Sequence, residues 1–130
     1  MFGLLADQHV ASIPWSPLAA GDLTRPWGQR STTRAEKNPV TDMSGRPLVL
    51  GSDQAIVDAV QRTAEARGVP MAQIALAWVL NNPVVAAPIV GATRAHHLAD
   101  AAAALSIQLT GDEIGALGQH YTPRSPTWFS

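Results

Sequence analysis

The sequence predicts a parallel α/β arrangement in which only two strands are visible. Three observations predict it. Val84 to Val90 is a near-continuous apolar run of strand length, the pattern of a strand covered on both faces, as in parallel sheets. That run ends at Gly91 and opens almost at once into a helical pattern. Strand and helix patterns also alternate along the chain, which argues for function at the C-terminal ends of the strands. Two parallel strands do not make a sheet with two covered faces, so the 130 residues read as part of something larger.

Each element follows from local chemistry. Met1 to Gln8 reads as the last turns of a helix. His9 to Pro14, with Val10 and Ile13 apolar, reads as a short strand. Trp15 to Gly21 leaves it as a loop, because Pro17 cannot donate to a ladder and Gly21 relaxes the backbone. Residues 22–50 contain Pro26, Gly28, Pro39, Gly45 and Pro47 with little periodicity, and read as one long irregular loop. Such loops are usually functional or disordered.

Order returns at Ser52, a plausible N-cap, followed by Ile56, Val57, Val60 and Ala64 at helical spacing up to Arg67. Gly68 ends that helix, and Pro70 suits the first turn of the next. There Ile74, Ala75, Trp78 and Val79 form the expected apolar face, with Trp78 in the core, and Asn81-Asn82-Pro83 stops it. After the Val84 to Val90 strand comes a helix with Leu98, Ala101, Ala102 and Leu105 on its expected inner face. Ile107 and Leu109 lead to a capping box, Thr110-x-x-Glu113, which starts a final helix through Ile114 and Leu117. The tail from Thr122 holds Pro123 and Pro126 and reads as irregular.

Composition narrows the function classes. Hydrophobic residues make up 46% and charged residues 15%, with a formal charge of −1. No basic stripe is present, so nucleic acid is not an expected partner. With no cysteine, neither a disulfide framework nor a thiolate metal site is possible. The apolar start, interrupted by Asp7, lacks the basic region of a signal peptide. No apolar run approaches the roughly 18 residues of a membrane span. A soluble, cytoplasmic protein is the expectation. His96 and His97 are adjacent and would diverge by about 100° on a helix, so no metal site is expected there. Trp78, His9 and His120 have structural readings.

The stretch from Ala87 to His97 carries the chemistry. A strand, a glycine and a helix start together make an anion site. The glycine admits a ligand to the backbone, and the first-turn N–H groups favour negative charge. Arg94 adds a permanent charge and a planar fork suited to phosphate oxygens. The expected ligand is the phosphate of a nucleotide cofactor.

Three blocks resemble a known family. They are Trp15-Ser16-Pro17-Leu18-Ala19-x-Gly21-x-Leu23, then Ala72-Gln73-Ile74-Ala75-Leu76-Ala77-Trp78-Val79-Leu80, then Pro88-Ile89-Val90-Gly91-Ala92-Thr93-Arg94-x-x-His97-Leu98-x-Asp100. In this order, and with Leu109-Thr110-x-x-Glu113-Ile114-x-x-Leu117 and Tyr121-x-Pro123 after them, they resemble the C-terminal half of aldo-keto reductases. The likeness runs from about Ala6 to Pro123. It implies a (β/α)8 barrel that binds NADPH at its C-terminal face, of which residues 1–130 would be strands seven and eight with their helices. It also implies reduction of aldehydes or ketones by hydride transfer. A full barrel takes about 250 residues. The family's catalytic aspartate, tyrosine, lysine and histidine would belong to the absent first six strands. Consistently, the one tyrosine is Tyr121 and the one lysine is Lys37, neither placed where the family's acid and its helper would sit.

Carried over residue by residue, the resemblance makes Trp15 the aromatic that stacks on the nicotinamide ring; the plain alternative is a core tryptophan at a strand end. Ser16, Pro17, Leu18, Ala19 and Gly21 would follow the pyrophosphate, or form an ordinary turn. Arg34, like Arg25 and Arg30, lies in the loop that often closes over the cofactor. Gly91 and Thr93 match the residues that meet the 2′-phosphate, with Arg94 as its clamp. His97 stands where many members carry glutamine, on the adenine side. Asp100 matches an acid near the adenine, while Ala101 replaces a frequent asparagine. The implied partners are NADPH or NADP, a carbonyl substrate only in a complete barrel, and a complementing N-terminal half or a second copy. The competing readings are a non-catalytic fragment that packs on a partner without cofactor, and a small α/β domain of its own.

Overall fold

The computed structural model describes residues 1–29 and 50–123. Five α-helices appear among them: α1 (Phe2–Asp7), α2 (Gln54–Arg67), α3 (Met71–Leu80), α4 (Ala95–Ala104) and α5 (Gly111–Gly118). Two 3-10 segments, Ala19–Thr24 and Gly51–Asp53, are the other helical elements among the described residues. Residues 30–49 and 124–130, most of the expected long loop and of the expected irregular tail, lie outside the described residues.

The two expected strands meet, but not as a ladder. Ser12 pairs with Val85 and Trp15 with Ile89, both in parallel, as isolated bridges. The Ser12 N–H donates to Val84 O (2.6 Å), the Ala86 N–H to Ser12 O (2.9 Å) and the Ile89 N–H to Pro14 O (2.8 Å). Prolines explain the interruption. A regular continuation would draw on the N–H groups of residues 14 and 88, and both are proline, which has none. The register slips instead: three residues from Ser12 to Trp15 span four from Val85 to Ile89. Nor is the second segment covered on both faces, since Val84 is buried while Ile89 and Val90 are exposed.

Helix α3 forms the centre. It packs on α2, on α4 and on the Ala19–Thr24 segment, while α5 packs on α2. Met71, Ile74, Ala75, Leu76 and Ala77 are buried, so its covered surface is wider than one stripe. Trp78 is not core: it is 40% exposed, because α3's neighbours leave that side open. From α2, Val57, Ala59, Val60 and Ala64 join the core, with Leu117 from α5. Leu18, Leu23 and Trp27 pack against this cluster, so the start of the irregular stretch is anchored by its own apolar residues.

The ends of the helices follow their local signals, with one exception. Gly68 closes α2 with left-handed φ 66° and ψ 32°, a conformation that glycine reaches without Cβ strain. The capping box on α5 forms: the Thr110 hydroxyl accepts from the Glu113 N–H (3.3 Å), and the Glu113 carboxylate accepts from the Thr110 N–H (2.7 Å). Ser52 is not the N-cap. It sits in the 3-10 turn, and the Asp53 carboxylate accepts from the Leu50 N–H at 2.9 Å, so the turn is closed one residue later than expected.

On α4 the expected face is turned outward. Ala104 is buried and His97, Asp100 and Ala101 are half-buried, a stripe at i, i+3, i+4 and i+7. Leu98 and Leu105 are 65% and 72% exposed. Helix α3 offers α4 a side that accepts small and polar groups, and no described element covers the leucines.

Candidate functional site

Parallel pairing places the C-terminal ends of both segments on one edge. Through the Trp15–Ile89 bridge, the loop that follows Trp15 and the loop that follows Val90 leave the pair side by side. Trp15 is 70% exposed and Ile89 57%, so the edge presents an open indole beside an open aliphatic side chain.

The loop after Trp15 is bent by an unusual backbone. Ser16, Ala19 and Ala20 have φ of 52°, 49° and 54°, and Gly21 has φ 103°. Residues with side chains seldom adopt this left-handed region, and such outliers cluster at functional sites. The Ala19 N–H donates to Ser16 O (3.0 Å) and the Gly21 N–H to Leu18 O (2.9 Å), so these two donors are spent inside the loop. Gly21 O accepts from the Thr24 hydroxyl (2.7 Å) and from Arg25 Nε (3.2 Å). The Arg25 guanidinium then lies over Gly21, where a Cβ would stand 2.6 Å from Nη2. An added Cβ would meet both the strain of this φ and the end of the Arg25 side chain, which would have to shift. Pro17 and Leu18 are half-buried and hold the loop to the body.

The second side is the start of α4. Gly91, Thr93 and Arg94 are exposed, and a Cβ built on Gly91 meets nothing within 4 Å. The backbone there is open to a ligand. Arg94 is the N-cap, extended at φ −139° and ψ 150°, and the first turn holds no acidic residue. The His97 N–H donates to Arg94 O (3.1 Å), and the guanidinium and the N-terminal end of the helix dipole give this end positive character. The Thr93 N–H donates to Nδ1 of His97 at 3.4 Å, a long contact that ties the loop to the first turn. The rings of His96 and His97 meet edge to face at 4.4 Å. Asp100 lies deeper: its Oδ1 accepts from Gln73 Nε2 of α3 at 2.9 Å.

The two blocks thus share an edge, with Trp15 and Ser16 on one side and Gly91, Thr93 and Arg94 on the other. Arg25 approaches Gly21, whereas Arg30 and Arg34 lie outside the described residues. Sequence reasoning missed Gln73, whose only signal was a polar residue in an otherwise apolar helix. It also passed over Trp27, whose packing on the core has no periodic signature. Trp27 lines a cleft of about 230 Å³ with Asp22, Arg25, Pro26, Gly28 and Gln29.

Comparison with known proteins gives a consistent answer. A model of the Aldo/keto reductase family matches residues 1–122. The chain is 40% identical over 119 residues to a versiconal hemiacetal acetate reductase of Aspergillus parasiticus, covering 92% of this chain and 34% of that protein. It is 34% identical over 120 residues to a putative aryl-alcohol dehydrogenase of Saccharomyces cerevisiae, with the same 92% and 34% coverage. Against an aldo-keto reductase of Alternaria alternata the identity is 32% over 116 residues, 89% of this chain and 30% of the relative. The chain spans about a third of the length of these curated relatives. Among the described residues, no helix is long and apolar enough to cross a membrane.

Proposed function

The chain belongs to the aldo/keto reductase family, whose fold is a (β/α)8 barrel, and on that premise we propose that it forms the NADPH-gripping C-terminal part of an oxidoreductase acting on aldehydes or ketones. In this reading, residues 12–15 and 85–89 belong to strands seven and eight. The observation that supports it is the parallel Trp15–Ile89 bridge, since it brings to one edge two blocks distant in sequence, which in this reading hold the phosphates and the ring.

The residues fit such a cofactor. An open indole at Trp15 suits the nicotinamide face. The loop of Ser16, Pro17, Leu18, Ala19 and Gly21 would run along the pyrophosphate with the exposed Ser16, not the spent Ala19 and Gly21 N–H groups, towards it, and the space at Gly91, with Thr93 and Arg94, suits the 2′-phosphate. His97 and Asp100 stand on the adenine side. When bound, the cofactor would supply hydride. The contribution of this chain is to bind and orient, because protein groups position a cofactor whose chemistry is its own. Proton donation would fall to residues outside this chain, so the chain alone is proposed to be inactive towards carbonyls. A cytoplasmic location goes with this reading.

Tryptophan fluorescence during an NADPH titration tests the proposal, with Trp15→Phe as the control for which indole responds. No response up to about 1 mM, a concentration corresponding to only about 4 kcal/mol of binding, would remove it. Arg94→Ala is expected to weaken NADPH by about tenfold to a hundredfold, the value of a charge-assisted phosphate contact, and NADH much less. Equal losses for both cofactors would show that Arg94 does not read the 2′-phosphate.

The exposed Ile13, Ile89, Leu98 and Leu105 favour a second, compatible reading in which the chain packs on a complementing N-terminal half or on a second copy. Open apolar surface and unpaired strand edges both invite association.

A further inference from the structure

Gln73 is a side-chain amide in the central helix, and it spends that amide on α4. Its Nε2 donates to Asp100 Oδ1 at 2.9 Å across the α3–α4 interface, in partly buried surroundings. Both residues flank the core rather than the solvent: Gln73 and Asp100 are half-buried, while the next residue in α3, Ile74, is fully buried. Helix α4 has few apolar anchors of its own. Its inward stripe is His97, Asp100, Ala101 and Ala104, and only Ala104 is buried. Its leucines at 98 and 105 face away. A helix that meets its neighbour through alanines gains little burial energy from each one. The hydrogen bond to a carboxylate is then a large part of what sets where α4 sits, and such bonds are stronger than neutral ones.

We propose that Gln73 is a positioning residue: it holds Asp100, and through Asp100 it sets the first turn of α4 that presents Arg94, Thr93 and Gly91. Asp100 lies six residues beyond Arg94, about 9 Å along the helix axis at the standard rise. From Ala95 to Asp100 the backbone is continuous helix, so a tilt of α4 about Ala104 moves the N-terminal end, and Arg94 before it, most. The bond also keeps one oxygen of the Asp100 carboxylate engaged with α3, which gives that acid a structural task besides its place on the adenine side. The proposal rests on the reading of Arg94 as a phosphate clamp, but its first readout does not.

Gln73→Met keeps the length and apolar stem of the side chain and removes the donor. Amide exchange of His97 to Ala101 is expected to quicken by about tenfold in this variant, with α2 and α5 unchanged. Affinity for adenosine 2′,5′-bisphosphate, a probe that carries the phosphate without the nicotinamide, is expected to fall by about threefold to thirtyfold, the range of such indirect couplings. In an Asp100→Leu background, Gln73→Met should alter neither readout further, as a cycle through one shared bond requires. Unchanged exchange in α4 would overturn the proposal whatever the binding does. Faster exchange with unchanged affinity would overturn it too, since α4 would then move without consequence for the site. If the unaltered chain fails to bind the probe, the cofactor reading falls, and the exchange experiment still decides whether Gln73 holds α4.

Discussion

Arg67 and Glu113 lie 46 residues apart and close on each other through two hydrogen bonds, Nε to Oε1 and Nη2 to Oε2, both 2.6 Å. Arg67 is the last residue of α2, and Glu113 is the third of α5. The same guanidinium reaches Gln108 O at 2.9 Å, and the same carboxylate closes the capping box on Thr110. One acid thus serves the start of its own helix and the end of another. Surface ion pairs are usually worth little, but a bidentate fork is the geometry in which they count.

That arrangement predicts a pH dependence. Arg67, with the Thr110 N–H next, lowers the Glu113 carboxyl from its ordinary 4.5 to about 2. A carboxyl more acidic in the folded chain favours folding above its unfolded value, and the contribution fades as pH falls from 4.5 towards 2. Melting temperatures of the unaltered chain and of Glu113→Gln should therefore differ most near neutral pH, draw together below about pH 4.5 and converge only at about pH 2. A constant gap across that range would show that the pair does not govern the transition.

Two of the positive-φ glycines, Gly68 and Gly21, should respond differently to alanine. At Gly68 a Cβ meets nothing within 4 Å, so Gly68→Ala should cost only the backbone term, about 1 kcal/mol. At Gly21 the same φ penalty adds to a 2.6 Å contact with Arg25 Nη2. Gly21→Ala should cost more and should displace Arg25 from its bond to Gly21 O. Chemical denaturation of both variants checks this; equal losses would mean that Arg25 moves aside freely.

Core and outer leucine positions should separate stability from association. Ile74 is fully buried, and Ile74→Ala should cost about 2–5 kcal/mol. The pair Leu98→Asp and Leu105→Asp removes exposed apolar surface and should leave the melting temperature nearly unchanged while lowering self-association. Sedimentation velocity at several concentrations measures it. A monodisperse monomer before any substitution would show that the leucines do not drive association.

Much of the architecture was legible from short-range chemistry. Gly68, Asn81-Asn82-Pro83 and Thr110-x-x-Glu113 act through bonds within a few residues, and the helices begin and end where these signals place them. The start of α4 at Gly91 to Arg94 was legible for the same reason. The inward face of α4 was not. Hydrophobic periodicity reports which side of a helix is apolar, and on α4 that side, Leu98 and Leu105, is the exposed one. Trp78 misled in the same way.

By itself, the sequence determined the helices, their caps apart from Ser52, the family likeness and the two blocks of candidate site residues, because each depends on neighbours in the chain or on residue identity alone. Tertiary structure decided the rest. It slipped the strand register between the Ser12–Val85 and Trp15–Ile89 bridges, bonded Gln73 to Asp100, joined Arg67 to Glu113, and set Trp15 beside Ile89. Each of these depends on groups far apart in sequence, and only the packing of α2, α3 and α4 settles which of them come within bonding distance.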